Sequence, residues 1–157
     1  MKTLKLLVIL ALPFIAACVS NEKTPTPVVD ENTIPAQPSG ELIRTYVESN
    51  DFIDVDYKAI EYATINPTSS RAENVTEEDH AKMMAAVYRF QKHVSVIDGL
   101  YSCSLKNGAE INISEELFKS MIDNLEEMNS FIKEYTEKGE KVNVIEPTEE
   151  YLESLLK

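Results

Sequence analysis

The 157-residue chain has only four glycines, two cysteines and two histidines, and each scarcity closes a class of function. So few glycines leave little backbone able to wrap a phosphate, and no glycine-rich nucleotide turn, phosphate loop or serine-centred elbow occurs. Cys18 and Cys103 do not make a zinc-binding spacing. Positive charge is also scarce, with 15 Lys and Arg against 27 Asp and Glu and a net charge of −12. Phosphate binding needs a basic face, so nucleic acid is not an expected partner, and the same charge repels an anionic lipid surface. No apolar run reaches the roughly 20 residues with which a helix crosses a bilayer core. The run from Leu6 to Val19 has 14. At 43% hydrophobic, the composition is nevertheless that of a globular chain and not of a disordered one.

The 14-residue run is informative through its flanks. Lys2 and Lys5 precede it, and the small residues Ala16 and Ala17 stand near its end. A charged start, a short apolar stretch and small residues at its close are the pattern of a secretory signal peptide. Right after Cys18 the sequence becomes polar and proline-rich, "VSNEKTPTP". Ile15-Ala16-Ala17-Cys18 resembles the lipobox of bacterial lipoproteins. That resemblance implies that the Cys18 thiol receives a diacylglyceryl group, that residues 1–17 are removed, and that the new amino terminus takes a fatty acyl chain such as palmitate. A thiolate is the nucleophile suited to forming that thioether. One acyl chain binds a membrane marginally, whereas two or more hold firmly. Val19, in place of an aspartate after the cysteine, implies by the same resemblance the outer membrane, with the periplasmic or surface face left open. The competing reading is a soluble exported protein cleaved near Ala17, with Cys18 an ordinary thiol.

Removal of residues 1–17 takes away Lys2 and Lys5 and no acid, leaving 27 acidic against 13 basic side chains, a formal balance of −14. The acyl groups, not a basic patch, must then do the anchoring. Residues 18–40 hold the lipidated cysteine and four of the seven prolines but no aromatic residue, and are expected to form a disordered tether. In extended polyproline geometry its 22 residues after Cys18 span up to about 70 Å. Residues 41–157 remain for one folded domain.

In that domain Thr76 is expected to cap a helix whose first turn carries Glu77, Glu78 and Asp79 against the dipole. Met83, Val87, Phe90, Val94, Ile97, Tyr101 and Leu105 recur at spacings of three and four, which predicts one helical face as far as Asn107-Gly108. Ser114 predicts the start of a second helix along Leu117, Met121, Leu125, Met128, Ile132 and Tyr135, closed by Gly139. Two such helices pack antiparallel as a central long pair. A hairpin of Tyr101–Leu105 with Ala109–Ile113 around Lys106-Asn107-Gly108 also satisfies alternation, and Gly99 costs the helix about 1 kcal/mol. The long helix is preferred because Tyr101 and Leu105 stay in phase with the five earlier positions. Shorter helical stripes run through Leu42-Ile43-Tyr46-Val47 and Tyr57-Ile60-Tyr62-Ala63, interrupted around Asn50-Asp51. Asn66-Pro67 ends the second, "KVNVIEP" reads as extended, and Thr148 caps a last helix. The expectation is an all-α bundle of four or five helices.

Signals for chemistry are sparse. Glu77 and His80 have the three-residue spacing of di-metal bundles, but those need the motif on two helices and His93 lacks the matching acid. Asp54 and Asp56 resemble the start of a calcium loop that fails at Ala59, so helix capping is the expected role. With Cys18 lipidated, Cys103 has no disulfide partner. On a continuous helix His93 lies about 15 Å from it, too far to act as a base. No metal and no cofactor is expected. Three function classes follow: a non-enzymatic module docking an unidentified protein, using Met83, Met84, Met121 and Met128 if they face outward; an immunity or inhibitor lipoprotein against an exported toxin; or a carrier of a small apolar ligand.

Overall fold

The computed structural model describes residues 38–65 and 75–157, together with the backbone of Leu7 and Val8. Five α-helices occur among them: α1 Gly40–Ser49, α2 Tyr57–Ile65, α3 Glu77–Gln91, α4 Glu115–Glu137 and α5 Glu149–Ser154. Four short strands accompany these helices: β1 Leu7–Val8, β2 Val94–Ile97, β3 Leu100–Cys103 and β4 Asn143–Val144. The domain is thus mostly helical, with an antiparallel β2–β3 hairpin that the all-α expectation lacked.

Helix starts follow their capping chemistry. The hydroxyls of Ser39, Thr76, Ser114 and Thr148 each accept the amide proton of the residue three positions on. Asp56 Oδ1 does the same for Ala59, so the capping role expected near Asp54 and Asp56 falls to Asp56. At α3 the box is reciprocal: Asp79 Oδ2 accepts from the Thr76 amide at 2.9 Å and from its hydroxyl at 2.7 Å. Burial raises the Asp79 pKa, but these hydrogen bonds outweigh it and hold the carboxyl below its ordinary range. A lowered carboxylate contributes stability above its unfolded pKa and loses it as pH falls through the folded one. Thr76→Ala is therefore expected to cost about 1 kcal/mol at neutral pH. Thermal unfolding of both proteins from neutral to acid pH should show the gap narrowing once Asp79 is protonated.

The predicted long helix ends early. α3 stops at Gln91, and the phase-matched residues beyond it belong to the hairpin, in the register Val94↔Cys103, Val96↔Tyr101 and Ile97↔Leu100. Asp98 and Gly99 have φ of 53° and 79°, the positive values that a two-residue type I′ turn requires. Gly99 is the hairpin's turn and not a weak point in a helix. Asn107-Gly108 likewise does not terminate a helix; a 3-10 turn begins at Gly108 and runs to Ile111. Neither the continuous helix nor the alternative hairpin around Lys106–Gly108 forms.

The expected central pair is corrected accordingly. α1 lies along α3, and the hairpin, through β3, lies along α4. Asn129 of α4 closes that contact by pairing with one strand residue: its Oδ1 accepts from the Tyr101 amide and its Nδ2 donates to the Tyr101 carbonyl, both at 2.8 Å. α3 and α4 still meet through Phe90 and Phe118, edge to face at 6.1 Å between centroids. Ile53, Ile60, Met83, Ile113, Leu117, Met121 and Leu125 surround this contact in the main core. Ile53 bridges to Ile113 as a parallel pair, with Ile53 N–H donating to Asn112 and Ser114 N–H to Ile53, both at 2.9 Å.

A smaller cluster of Ile43, Ala81 and Leu156 joins α1 and α3 to the carboxy terminus. Pro38 is buried, and a β-carbon at Gly40 would collide with the Leu156 carbonyl. Arg44 and Glu153 add an exposed ion pair at 3.2 Å. The start of α1 and the residues after α5 thus pack side by side.

Candidate functional site

The lipobox residues Ile15, Ala16, Ala17 and Cys18 lie outside the described residues, as does Asn66-Pro67. Among the described residues no helix is long and apolar enough to cross a membrane, and no cluster of three or more potential metal ligands occurs. Glu77 accepts the Ser39 amide at 3.4 Å. His80 is buried, and its Nδ1 donates to the Thr76 carbonyl at 3.1 Å. The two residues of the helical Glu-His spacing are thereby each tied to helix-start backbone.

The hairpin overturns the distance argument made for Cys103. The Ser104 amide donates to the His93 carbonyl at 3.0 Å, so the His93 backbone lies opposite Ser104, one position beyond the Val94↔Cys103 pair, instead of about 15 Å from Cys103. The thiol is nonetheless not activated. Burial pushes its pKa up, and the charge of Glu110 adds to that against a backbone hydrogen bond from Leu105. Met83 and Met121 are buried in the main core, and Met84 and Met128 are half-buried against apolar clusters, so the four methionines do not form one exposed face.

Three features stand out that sequence reasoning did not locate. The first is Arg89, buried on α3 and directed at backbone. Its Nη1 donates to the carbonyls of Asp51, Ile111 and Asn112, and its Nη2 to that of Tyr46, at 2.5 to 3.3 Å. Burial pushes the guanidinium pKa down while the charge of Asp51 opposes it. Nε has no partner and is fully enclosed. One side chain thus binds the end of α1, the segment before Ile53 and the 3-10 turn together.

The second is a cleft of about 440 Å³ between the segment before α2 and the start of α4, walled by Asp54, Asp56, Tyr57, Lys58, Glu116 and Leu117. Its polarity is mixed, with three acids and one lysine. Tyr57 accepts from Asn124 at 2.8 Å, but burial dominates and raises its pKa, so its hydroxyl stays protonated.

The third is a groove of about 340 Å³ where the hairpin tip, the last turns of α4 and β4 converge. Leu100, Ile132, Val142 and Val144 form its apolar wall, while Asp98 and Glu137 place acid at it beside one base, Lys133. β4 borders the groove, and its one strand partner among the described residues is β1, parallel, with Leu7 opposite Asn143 and Val8 opposite Val144. The Asp98-Gly99 dipeptide that shapes one wall was a readable turn signal, whereas the approach of residues 142–144 was not.

No protein-family model, curated protein or solved structure matches this chain. The geometry offers two grooves, a protonated thiol and a carbonyl-bound arginine.

Proposed function

We propose that this chain is a cell-envelope lipoprotein, anchored through lipid on Cys18, that displays an acidic and mainly helical domain as a non-enzymatic docking module. The outer membrane is its proposed address, and no cofactor enters the reading. The observation that carries it is the apolar run of 14 residues that stops at Ile15-Ala16-Ala17-Cys18 and gives way to a proline-rich stretch. The charge supports it from another side, because a mature chain of balance −14 needs lipid to stay at an anionic surface.

Growth with labelled palmitate followed by membrane fractionation tests the anchor. The protein is expected to carry label and sediment with membranes, and Cys18→Ser to lose the label and move to the soluble fraction. Label and sedimentation retained in Cys18→Ser would overturn the lipoprotein reading. Crosslinking in intact cells tests docking. A single stoichiometric protein partner, absent from the Cys18→Ser sample, is the expected result.

A further inference from the structure

We infer that the free edge of β4, with the groove beside it, is a docking site that takes up an extended apolar peptide flanked by basic residues, by parallel strand addition. The inference deepens the docking-module reading and rests on it, because it requires that residues 1–17 leave the mature chain.

Asn143–Val144 is extended, yet the strand that pairs with it is Leu7–Val8, from within the leader. Removal of the leader strips β4 of that partner and leaves backbone donors and acceptors on an open edge, the template that strand-adding peptides use. The leader strand therefore stands in for a peptide of the same kind. The site also has the complement of such a ligand. Val142 and Val144 are half-buried toward the core while Asn143 between them is exposed, the alternation of a strand with one apolar face. The groove beyond contributes Leu100 and Ile132. Asp98 and Glu137 outnumber Lys133 at the groove, and with a balance of −14 on the mature chain they favour a basic flank such as the Lys2 and Lys5 that precede Leu7.

The test uses the whole mature chain, residues 18–157 with Cys18→Ser to keep it lipid-free, titrated into a fluorescent peptide of residues 2–10, KTLKLLVIL. Saturable binding is expected. A peptide N-methylated at Leu7 and Val8, which keeps the side chains but removes two amide donors, should bind at least tenfold more weakly, roughly the 1.4 kcal/mol or more of lost strand pairing. Val144→Asp in the protein should weaken the parent peptide similarly without altering the circular dichroism spectrum. No saturable binding, or equal affinity of the methylated and parent peptides, overturns the inference. The palmitate experiment is read separately: peptide binding with an unlabelled, soluble protein in cells would retain the edge site and remove the lipid anchor, and the reverse pair of results would do the opposite.

Discussion

Arg89→Met is expected to destabilise the domain by about 3–5 kcal/mol, because four backbone carbonyls lose their donor at once. Methionine preserves much of the volume and the stem packing but supplies no donor to the carbonyls of Tyr46, Asp51, Ile111 and Asn112, each bonded to the guanidinium in the native domain. A buried carbonyl without a donor costs about 1–3 kcal/mol, and these four belong to three separate segments. Arg89→Lys keeps the charge, yet one ammonium replaces a fork that reaches from the end of α1 to the 3-10 turn. It should recover only part of the loss. Urea unfolding would show a lower midpoint with an unchanged slope in both variants. A loss below about 1 kcal/mol for Arg89→Met, the value of a single ordinary hydrogen bond, would mean that the carbonyls find water instead and that Arg89 does not hold the segments together.

The arginine also shows what a sequence withholds. Its position on α3 was legible from the cap at Thr76 and the apolar stripe, but the function of its side chain was not. The carbonyls it binds are 22 to 43 residues away along the chain, and backbone acceptors leave no mark in side-chain pattern. Local signals did better. Ser114, Thr148 and Gly139 bounded α4 and α5 as expected, with Gly139 at a φ of 75° donating to Thr136. Asn50 ended α1 in the left-handed region, where the helical stripe had been read as interrupted. The hairpin was missed because a spacing of three and four happens to pass through Val94, Ile97 and Tyr101. Alternation within Val94–Ile97 and the Asp98-Gly99 pair carried the stronger local signal for a turn. Of the candidate sites, the lipobox needed only contiguous residues, whereas the groove at β4 unites residues near positions 100, 132 and 144 that no pattern connects.

Phe90→Ala and Ile97→Ala together distinguish the hairpin from the helix by their difference. On one continuous helix the two side chains share the apolar stripe, and both truncations would open a core cavity. In the hairpin Ile97 is 56% exposed beside the turn, whereas Phe90 is 1% exposed and holds α3 against Phe118 of α4. Phe90→Ala is expected to cost about 3–5 kcal/mol, the range for removing a buried aromatic ring and leaving a cavity. Ile97→Ala should cost less than about 1 kcal/mol, since it removes little buried area and only a modest strand preference. The unfolding midpoints should therefore separate widely, with Ile97→Ala close to the parent protein. Equal and large losses would restore the continuous helix. They would also remove the turn at Asp98-Gly99 that walls the groove beside β4, so this pair of substitutions tests the architecture on which the docking edge depends.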